Sequence, residues 1–316
     1  MIDVVVVSRN TEAHGICSFE LAAHDGGPLP AFSAGAHIDV HLDDGLIRQY
    51  SLCNHPDERH RYVIAVLHDP ASRGGSQHLH EQINTGAPLR ISEPRNLFPL
   101  VHEARRSLLF AGGIGITPIL CMAERLAHSG ADFQLHYCAR SSERAAFVER
   151  LRQCAFSDRV HLHFDEQPDT VMQAAHVLAE PQHDVHLYVC GPAGFMQHVL
   201  DTARTQGWHE DTLHREYFAA APVDTRNDGR FSVKVNSTGQ VFEIAADQTV
   251  VQVLERHGID IPMSCEQGVC GTCLTRVLEG TPEHRDMFLT EEEQACNDQF
   301  TPCCSRSKTP LLVLDI

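Results

Sequence analysis

The sequence predicts a multidomain protein: an antiparallel β-barrel over residues 1–100, an α/β parallel-sheet domain over 101–222, and a small α+β domain over 223–316. Three observations carry this. Short apolar runs broken at Gly, Pro, Asp or Asn fill the first part, and strand-like and helix-like runs alternate in the second. In the third, a hairpin pattern and a terminal apolar strand flank a segment with three cysteines in nine residues, CEQGVCGTC at 265–273. A chain of 316 residues is too long for one ordinary domain and suits two or three.

The composition, 42% apolar and 21% charged, is that of a soluble globular protein. With 42 acidic against 25 basic side chains the net charge is −17, which disfavours nucleic acid and anionic membranes and favours a partner with a basic patch. The opening MIDVVVVSRN carries Asp3 and no basic n-region, so it reads as a strand and not as a signal peptide. The longest uncharged stretch, residues 108–123, is 16 residues broken by three glycines and a proline, too short for a membrane span. The expectation is a cytoplasmic protein. In a reducing compartment, twelve cysteines point to metal or redox work at a few and burial of the rest.

In the first segment, IDVVVVSR, GICSFELAA, AHIDVHLDDG, LIRQYSLC and RYVIAVLHD read as barrel strands. ISEPRNLFPL, with two prolines, reads as a connector. In the second, SLLFAG precedes a helical TPILCMAERLAHSG, FQLHYCAR precedes SERAAFVERLRQC, and RVHLHFDE follows; VHLYVC then precedes AGFMQHVLDTARTQG. This is the alternation of a parallel sheet with helices on both faces. APVDTRNDG, 221–229, reads as a linker. FSVKVNSTGQVFEIA then makes a hairpin near Thr238-Gly239, QTVVQVLERHG a helix ending at Gly258, and LLVLDI a buried strand.

The C-x4-C-x2-C spacing of Cys265, Cys270 and Cys273 is that of plant-type [2Fe–2S] sites, which take a fourth cysteine from elsewhere. Cys303, 30 positions on, suits that role. Cys304 beside it is expected to face away, because neighbours on an extended segment point to opposite sides. Gly268 and Gly271 let the loop curl so that N–H groups face the sulfurs. Structural zinc, with two separated cysteine pairs, fits less well. Cys17, Cys53, Cys121, Cys138 and Cys154 read as small buried hydrophobes. Cys53-Asn54-His55 is half of a Rieske pattern without its second half, so no Rieske centre is read here.

AGGIGITPI, 111–119, follows a strand and opens a helix, and CGPAGF, 190–195, does the same. Glycines permit close approach of a pyrophosphate, and a helix N-terminus attracts it. Each loop alone is also common without a ligand; two in one sheet mark a crevice. RQYSL, 48–52, and SRGGS, 72–76, offer a guanidinium, an aromatic face and a phosphate site, or equally an ordinary strand and turn.

Taken in order, RQYSL, RGGS, GGIGITP, YCARS, YVCGP, REYF and the cysteine spacing with its terminal CCSR resemble the phthalate dioxygenase reductase family over essentially the whole chain. These are ferredoxin reductase-like flavoproteins with a C-terminal plant-type ferredoxin domain of β-grasp fold. The resemblance implies that Arg48, Tyr50 and Ser51 hold a flavin, and that Arg73, Gly74, Gly75 and Ser76 hold its phosphate, making it FMN. Glu216 and Phe218 would close over that flavin. NADH would lie on Gly113, Gly115 and Thr117, with Arg140 and Ser141 at its adenosine end and Cys190, Gly191 and Pro192 near the nicotinamide. Cys265, Cys270, Cys273 and Cys303 would ligate the cluster. The implied activity is electron transfer from NADH through FMN and [2Fe–2S] to a separate Rieske-type terminal oxygenase, with no catalytic acid or base. The rival readings are a reductase for another terminal protein and a non-catalytic redox sensor.

Overall fold

The computed structural model describes residues 1–42, 45–70, 74–219, 225–226 and 228–316. It divides into two compact units, Met1–Glu216 and Tyr217–Ile316. Among the described residues no helix is long and apolar enough to cross a membrane.

The first unit contains two sheets. Strands β1 (Ile2–Ala13), β2 (Ile16–Ala23), β3 (Ala36–His41), β4 (Ile47–Ser51), β5 (Tyr62–Leu67) and β6 (Pro88–Ile91) run antiparallel in the order β4-β3-β6-β1-β2-β5. A short β7 (Arg95–Asn96) also pairs with β3. The bridge Leu52↔Ile64 and the Cys53 N–H donating to the Val63 carbonyl (2.9 Å) join β4 to β5 and close the barrel. Val4, Phe19, Leu21, Ile38, Val40 and Ile64 fill it from alternate positions, as the period of a strand dictates. ISEPRNLFPL is therefore more than a connector: its first residue ends β6 and its centre forms β7. A helix α1 (Gly75–Gln82) follows the glycine turn, where only a flexible turn was expected. Its apolar stripe is hard to read because Leu79 is its single large apolar residue.

The second sheet is parallel, in the order β10-β9-β8-β11-β12, from β8 (Arg106–Gly112), β9 (Asp132–Ala139), β10 (Val160–Phe164), β11 (Val185–Cys190) and β12 (Leu213–Glu216). Helix α2 (Ile116–Ser129) leaves β8, and α5 (Ala193–Thr205) leaves β11; α3 (Val148–Gln153) and α4 (Ala174–Val177) are short. The helix expected over SERAAFVERLRQC occupies only its second half. Ala145, Ala146 and Phe147 are buried instead, with Phe147 in the left-handed region (φ 62°) at the start of α3. The chain chose to sink three apolar residues over continuing the helix. Strand β12 went unread because an edge strand with one apolar residue, Leu213, shows no alternation.

The second unit is a mixed sheet, β14-β13-β19-β15-β17, built from β13 (Phe231–Val235), β14 (Val241–Ile244), β15 (Thr275–Glu279), β17 (Gln299–Phe300) and β19 (Leu311–Leu314). The terminal strand β19 lies centrally, parallel to β13 and antiparallel to β15. Helix α6 (Val250–Arg256) covers it with Val250 and Leu254. Its start is a capping box, Thr249 with Gln252. A pair β16 (Pro282–Glu283) and β18 (Arg306–Ser307), and α7 (Glu291–Cys296), complete the unit. The segment read as a linker lies partly outside the described residues, but its end is not loose: Asp228 is gripped by Arg285 through two bonds of 2.9 and 2.6 Å.

His136 is buried on β9, stacked on Phe110 (5.3 Å) and His161 (4.8 Å), with Nδ1 3.1 Å from His163 Nε2. Burial first, then the neighbouring histidines, pulls its pKa down to about 3. His214 on β12 is lowered to about 4 by burial and His186. A histidine with a depressed folded-state pKa takes up a proton more readily when unfolded. Its destabilising effect is absent above about pH 6.5 and grows as pH falls toward the folded value. Stability to denaturant should therefore fall between pH 6.5 and 4, with His136 contributing up to about 1.4 kcal/mol per pH unit. The variant His136→Phe should show a shallower slope; an equal slope would refute the assignment.

Candidate functional site

The strand order of the parallel sheet reverses between β8 and β11. The loops after these two strands therefore leave in opposite directions and open a crevice at the carboxyl edge, where α/β sheets bind ligands. The two glycine loops singled out in the sequence are these loops. Gly113–Gly115 form a single tight turn before α2, with Gly113 at φ 54°. A Cβ on Gly115 would overlap the Cys190 carbonyl, and one on Gly191 would lie 2.9 Å from the Gly112 Cα. The floor of the crevice thus exists only because backbone packs on backbone there. Thr117 is buried and its hydroxyl donates to the Ile114 carbonyl (3.1 Å), so it holds the turn in shape. Arg140 and Ser141 lie just past β9, at the same edge of the sheet.

The barrel meets this edge through Ser51, at the end of β4. Its hydroxyl donates to Glu216 Oε2 at 3.4 Å. Glu216 ends β12 opposite Cys190 in register, and Cys190 is opposite Ala111. Burial lifts the Glu216 carboxyl to about 8, with the Ser51 bond opposing. Burial, then the Glu216 charge, pushes the Cys190 thiol well above its usual range. At neutral pH this corner therefore presents a protonated carboxyl, a hydroxyl and a thiol, all uncharged.

The other expected flavin residues converge in part. Gly75 packs so tightly on the Arg48 side chain that a Cβ there would overlap it, so the RGGS turn and β4 are adjacent. Gly74 caps the start of α1 at φ 93°, and the helix opens at Gly75, where it touches the Arg48 side chain. Ser76 Oγ accepts from the Asp69 N–H (3.2 Å). Tyr50 packs against the barrel core, and burial raises its hydroxyl pKa above the usual range. Arg73 lies outside the described residues. Phe218 is exposed and falls in the second unit.

In the second unit Cys265, Cys270, Cys273 and Cys303 are each less than a tenth exposed, at 9, 7, 3 and 6%. The Cys303 thiol interacts with those of Cys265 and Cys273, and Cys265 with Cys270. The loop curls through left-handed residues at Glu266, Gly268 and Gly271, with φ of 57°, 73° and 66°. A Cβ on Gly271 would overlap the Phe288 ring, which closes the loop from outside. The N–H groups of Gln267 and Val269 both point at Cys265 Sγ (3.4 Å), and that of Thr272 at Cys270 Sγ (3.4 Å). Donation from Cys270 and Cys303, then the backbone, pulls the Cys265 thiol far down; the donors Cys270 and Cys303 are pushed up. Four buried thiols, with N–H groups aimed at the sulfurs of Cys265 and Cys270, suit a bound cation. Among the described residues no three of these groups converge on a single ion, and a two-iron cluster does not need that, since each iron takes two thiolates.

The expected facing of Cys304 is corrected. Residues 302–304 form a turn, with the Ser305 N–H on the Thr301 carbonyl (2.9 Å), so alternation along an extended strand does not apply. Cys304 Sγ turns into the loop and occupies the space a Cβ of Gly268 would need. Among the other cysteines Cys17, Cys53 and Cys121 are buried as expected, whereas Cys138 and Cys154 are only partly so. Sequence reasoning missed Glu166. From the loop after β10 its carboxylate accepts from the Ser142 N–H (3.0 Å), beside Arg140 and Ser141. An acid just past a strand end was the available signal.

Residues 233–308 match the family described as the 2Fe-2S iron-sulfur cluster binding domain, and residues 92–213 match the dimethylamine monooxygenase subunit DmmA-like N-terminal domain. The chain is 76% identical, over the full length of both, to a vanillate O-demethylase oxidoreductase of Pseudomonas putida. It is 50% identical to that of Acinetobacter baylyi, covering 100% of this chain and 99% of the relative. The fold matches a solved phthalate dioxygenase reductase with a TM-score of 0.79 at 38% identity, covering 100% and 98% of the two chains. The chain belongs to the vanillate O-demethylase and phthalate dioxygenase reductase family. It is an electron-transfer oxidoreductase, and the family expected from the motifs is the family found.

Replacing Cys270 with Ala should abolish the visible iron–sulfur absorbance and leave the protein nearly free of iron. By contrast, Gly115→Ala should keep its iron and raise the KM for the dinucleotide at least about tenfold, about 1.4 kcal/mol of binding, because the crevice floor must part. Normal KM in that variant would contradict the placement of the site.

Proposed function

We propose that this protein is the reductase component of a two-component Rieske-type vanillate O-demethylase, passing electrons from NADH through FMN and a [2Fe–2S] cluster to a separate terminal oxygenase. The carrying observation is the Ser51–Glu216 contact, where the barrel end meets a dinucleotide crevice, in a chain that also holds a four-thiol cage. The end-to-end likeness to proteins named vanillate O-demethylase oxidoreductase supports the choice of substrate system.

When bound, a nicotinamide supplies a hydride, a flavin accepts two electrons and releases them singly, and an iron–sulfur cluster takes one at a time. The chain's task is then orientation and exclusion of water. Gly113, Gly115 and the start of α2 accept the pyrophosphate, with Thr117 bracing the turn. Arg140 and Ser141 hold the adenosine end, and Cys190, Gly191 and Pro192 shape the nicotinamide end. Arg48, Tyr50 and Ser51 hold the flavin, and Gly74, Gly75 and Ser76, with Arg73, its phosphate. Burial raises the Glu216 carboxyl to about 8, so at pH 7 it would present a neutral group at that corner. Cys265, Cys270, Cys273 and Cys303 ligate the cluster. The Glu166 carboxylate beside Ser142 favours NADH, because it would repel the 2′-phosphate of NADPH.

Flavin released by heat should be FMN on chromatography, and FAD would overturn the phosphate-site reading. The protein with NADH and the cognate oxygenase should turn over vanillate. Glu166→Gln should improve kcat/KM for NADPH several-fold relative to NADH; an unchanged ratio would remove Glu166 from the adenosine site.

A further inference from the structure

We infer that His163 is a positioning residue for the adenosine end of the dinucleotide: it clamps the loop after β10 that carries Glu166, and His136 sets the direction of the clamp. This rests on the reading of Glu166 as facing the adenosine.

Residues 165–169, which include Glu166, are all exposed. No apolar burial fixes this segment, so hydrogen bonds carry its shape. At its near end the Asp165 N–H donates to the Ala139 carbonyl (3.1 Å) and the Glu166 N–H to the Arg140 carbonyl (3.2 Å). At its far end the bonds gather on Thr170. The Thr170 hydroxyl accepts from the Phe164 N–H (3.0 Å), and the Thr170 N–H donates to the Gln167 carbonyl (2.8 Å). These bonds stay within the loop and the strand end it leaves. The Thr170 carbonyl reaches further. It lies 2.6 Å from His163 Nδ1, and His163 Nε2 lies 3.1 Å from Nδ1 of the buried His136 on the neighbouring strand β9.

Directionality follows from the end group. A backbone carbonyl only accepts, so His163 Nδ1 carries the proton. Burial lowers the pKa of both rings, which keeps both neutral at pH 7. A neutral His163 then offers Nε2 as an acceptor, and His136 Nδ1 donates to it. The His136 ring is itself held in place: Phe110 on β8 and His161 on β10, its register partners on either side, both stack on it at 16°. Its Nε2 keeps a lone pair and has no partner among the described residues. The chain therefore runs one way, from the sheet interior out to Thr170. With Thr170 held to the sheet and Asp165 and Glu166 held to the end of β9, the Glu166 carboxylate is delivered to the Ser142 N–H (3.0 Å).

The test uses the full holoprotein with ferricyanide as acceptor, and flavin and iron content are recorded for each variant. His163→Phe keeps a ring but loses the N–H; His163→Asn puts an amide N–H in the place of Nδ1. With NADH, kcat/KM should fall about fivefold in His163→Phe, through KM, and recover toward wild type in His163→Asn. With reduced nicotinamide mononucleotide, which lacks the adenosine half, both variants should match wild type. The preference for NADH over NADPH should drop in His163→Phe as in Glu166→Gln, and drop no further in the double variant. Equal losses with both donors would make His163 merely structural and overturn the proposal. So would an unchanged KM for NADH in His163→Phe, or no recovery in His163→Asn. Failure of the underlying reading is separate: Glu166→Gln itself would then leave the preference unchanged, and the proposal would fall with it.

Discussion

The constraint on which the second unit depends is the crowding of four thiolate positions into one buried pocket. Such charges repel strongly in a low-dielectric interior unless cations and hydrogen-bond donors offset them. The chain answers with backbone. Left-handed turns at Glu266, Gly268 and Gly271 aim N–H groups of Gln267, Val269 and Thr272 at the sulfurs. At Gly268 and Gly271 there is no room for a side chain, so Cys304 and Phe288 pack directly on the loop. The fourth sulfur arrives from a turn between β17 and β18, and that turn is fixed in its own right. Arg306, three residues past Cys303, donates to the carbonyls of Gly229, Ala245 and Gln248. Arg306 also lies 3.5 Å from Asp228, the residue that Arg285 grips. The entry of the chain into this unit and the turn that carries Cys303 are thus tied to one ion-pair cluster.

The first unit solves a different problem with similar means. Hydride transfer needs two flat rings held together without water between them, and no charged catalyst. The crevice is floored by glycine backbone at Gly112, Gly115 and Gly191, and its inner corner is lined by groups that burial keeps neutral. Glu216 is the informative case. An ordinary carboxylate at this corner would be charged at pH 7; burial raises this one to about 8. The carboxyl can then serve as a donor or an acceptor in the crevice, a choice that a charged group would not have.

How much of this was legible in the sequence follows the range of the interactions. Cys265, Cys270 and Cys273 are brought together by covalent spacing within one loop, so their clustering could be read from the motif. Gly113 and Gly191 were visible because each sits between a strand-like and a helix-like run. The choice between Cys303 and Cys304 was harder, because their facing depends on a turn closed by the Ser305 N–H on the Thr301 carbonyl, and local pattern suggested an extended segment. The barrel was legible from alternation, whereas α1 was not, since three polar residues precede its one buried leucine. Ser51 and Glu216 are 165 positions apart, and nothing in either local sequence links them; only the resemblance did. Glu166 escaped because an exposed acid just past a strand end is a weak signal by itself, and its meaning comes from the neighbouring strand.

The central claim is a one-way path in which the first unit suffices for oxidising NADH and the second is required for delivery to a protein partner. The most direct measurement compares wild-type protein with a cluster-free variant, Cys265→Ser, in two assays run with the same NADH. One uses ferricyanide, which can take electrons from the flavin, and the other uses the terminal oxygenase with vanillate. The account predicts that the variant keeps ferricyanide reduction within about twofold of wild type and loses nearly all oxygenase turnover. Oxygenase turnover at the wild-type rate in protein shown to lack iron would mean that the flavin reduces the partner directly, and would contradict the account.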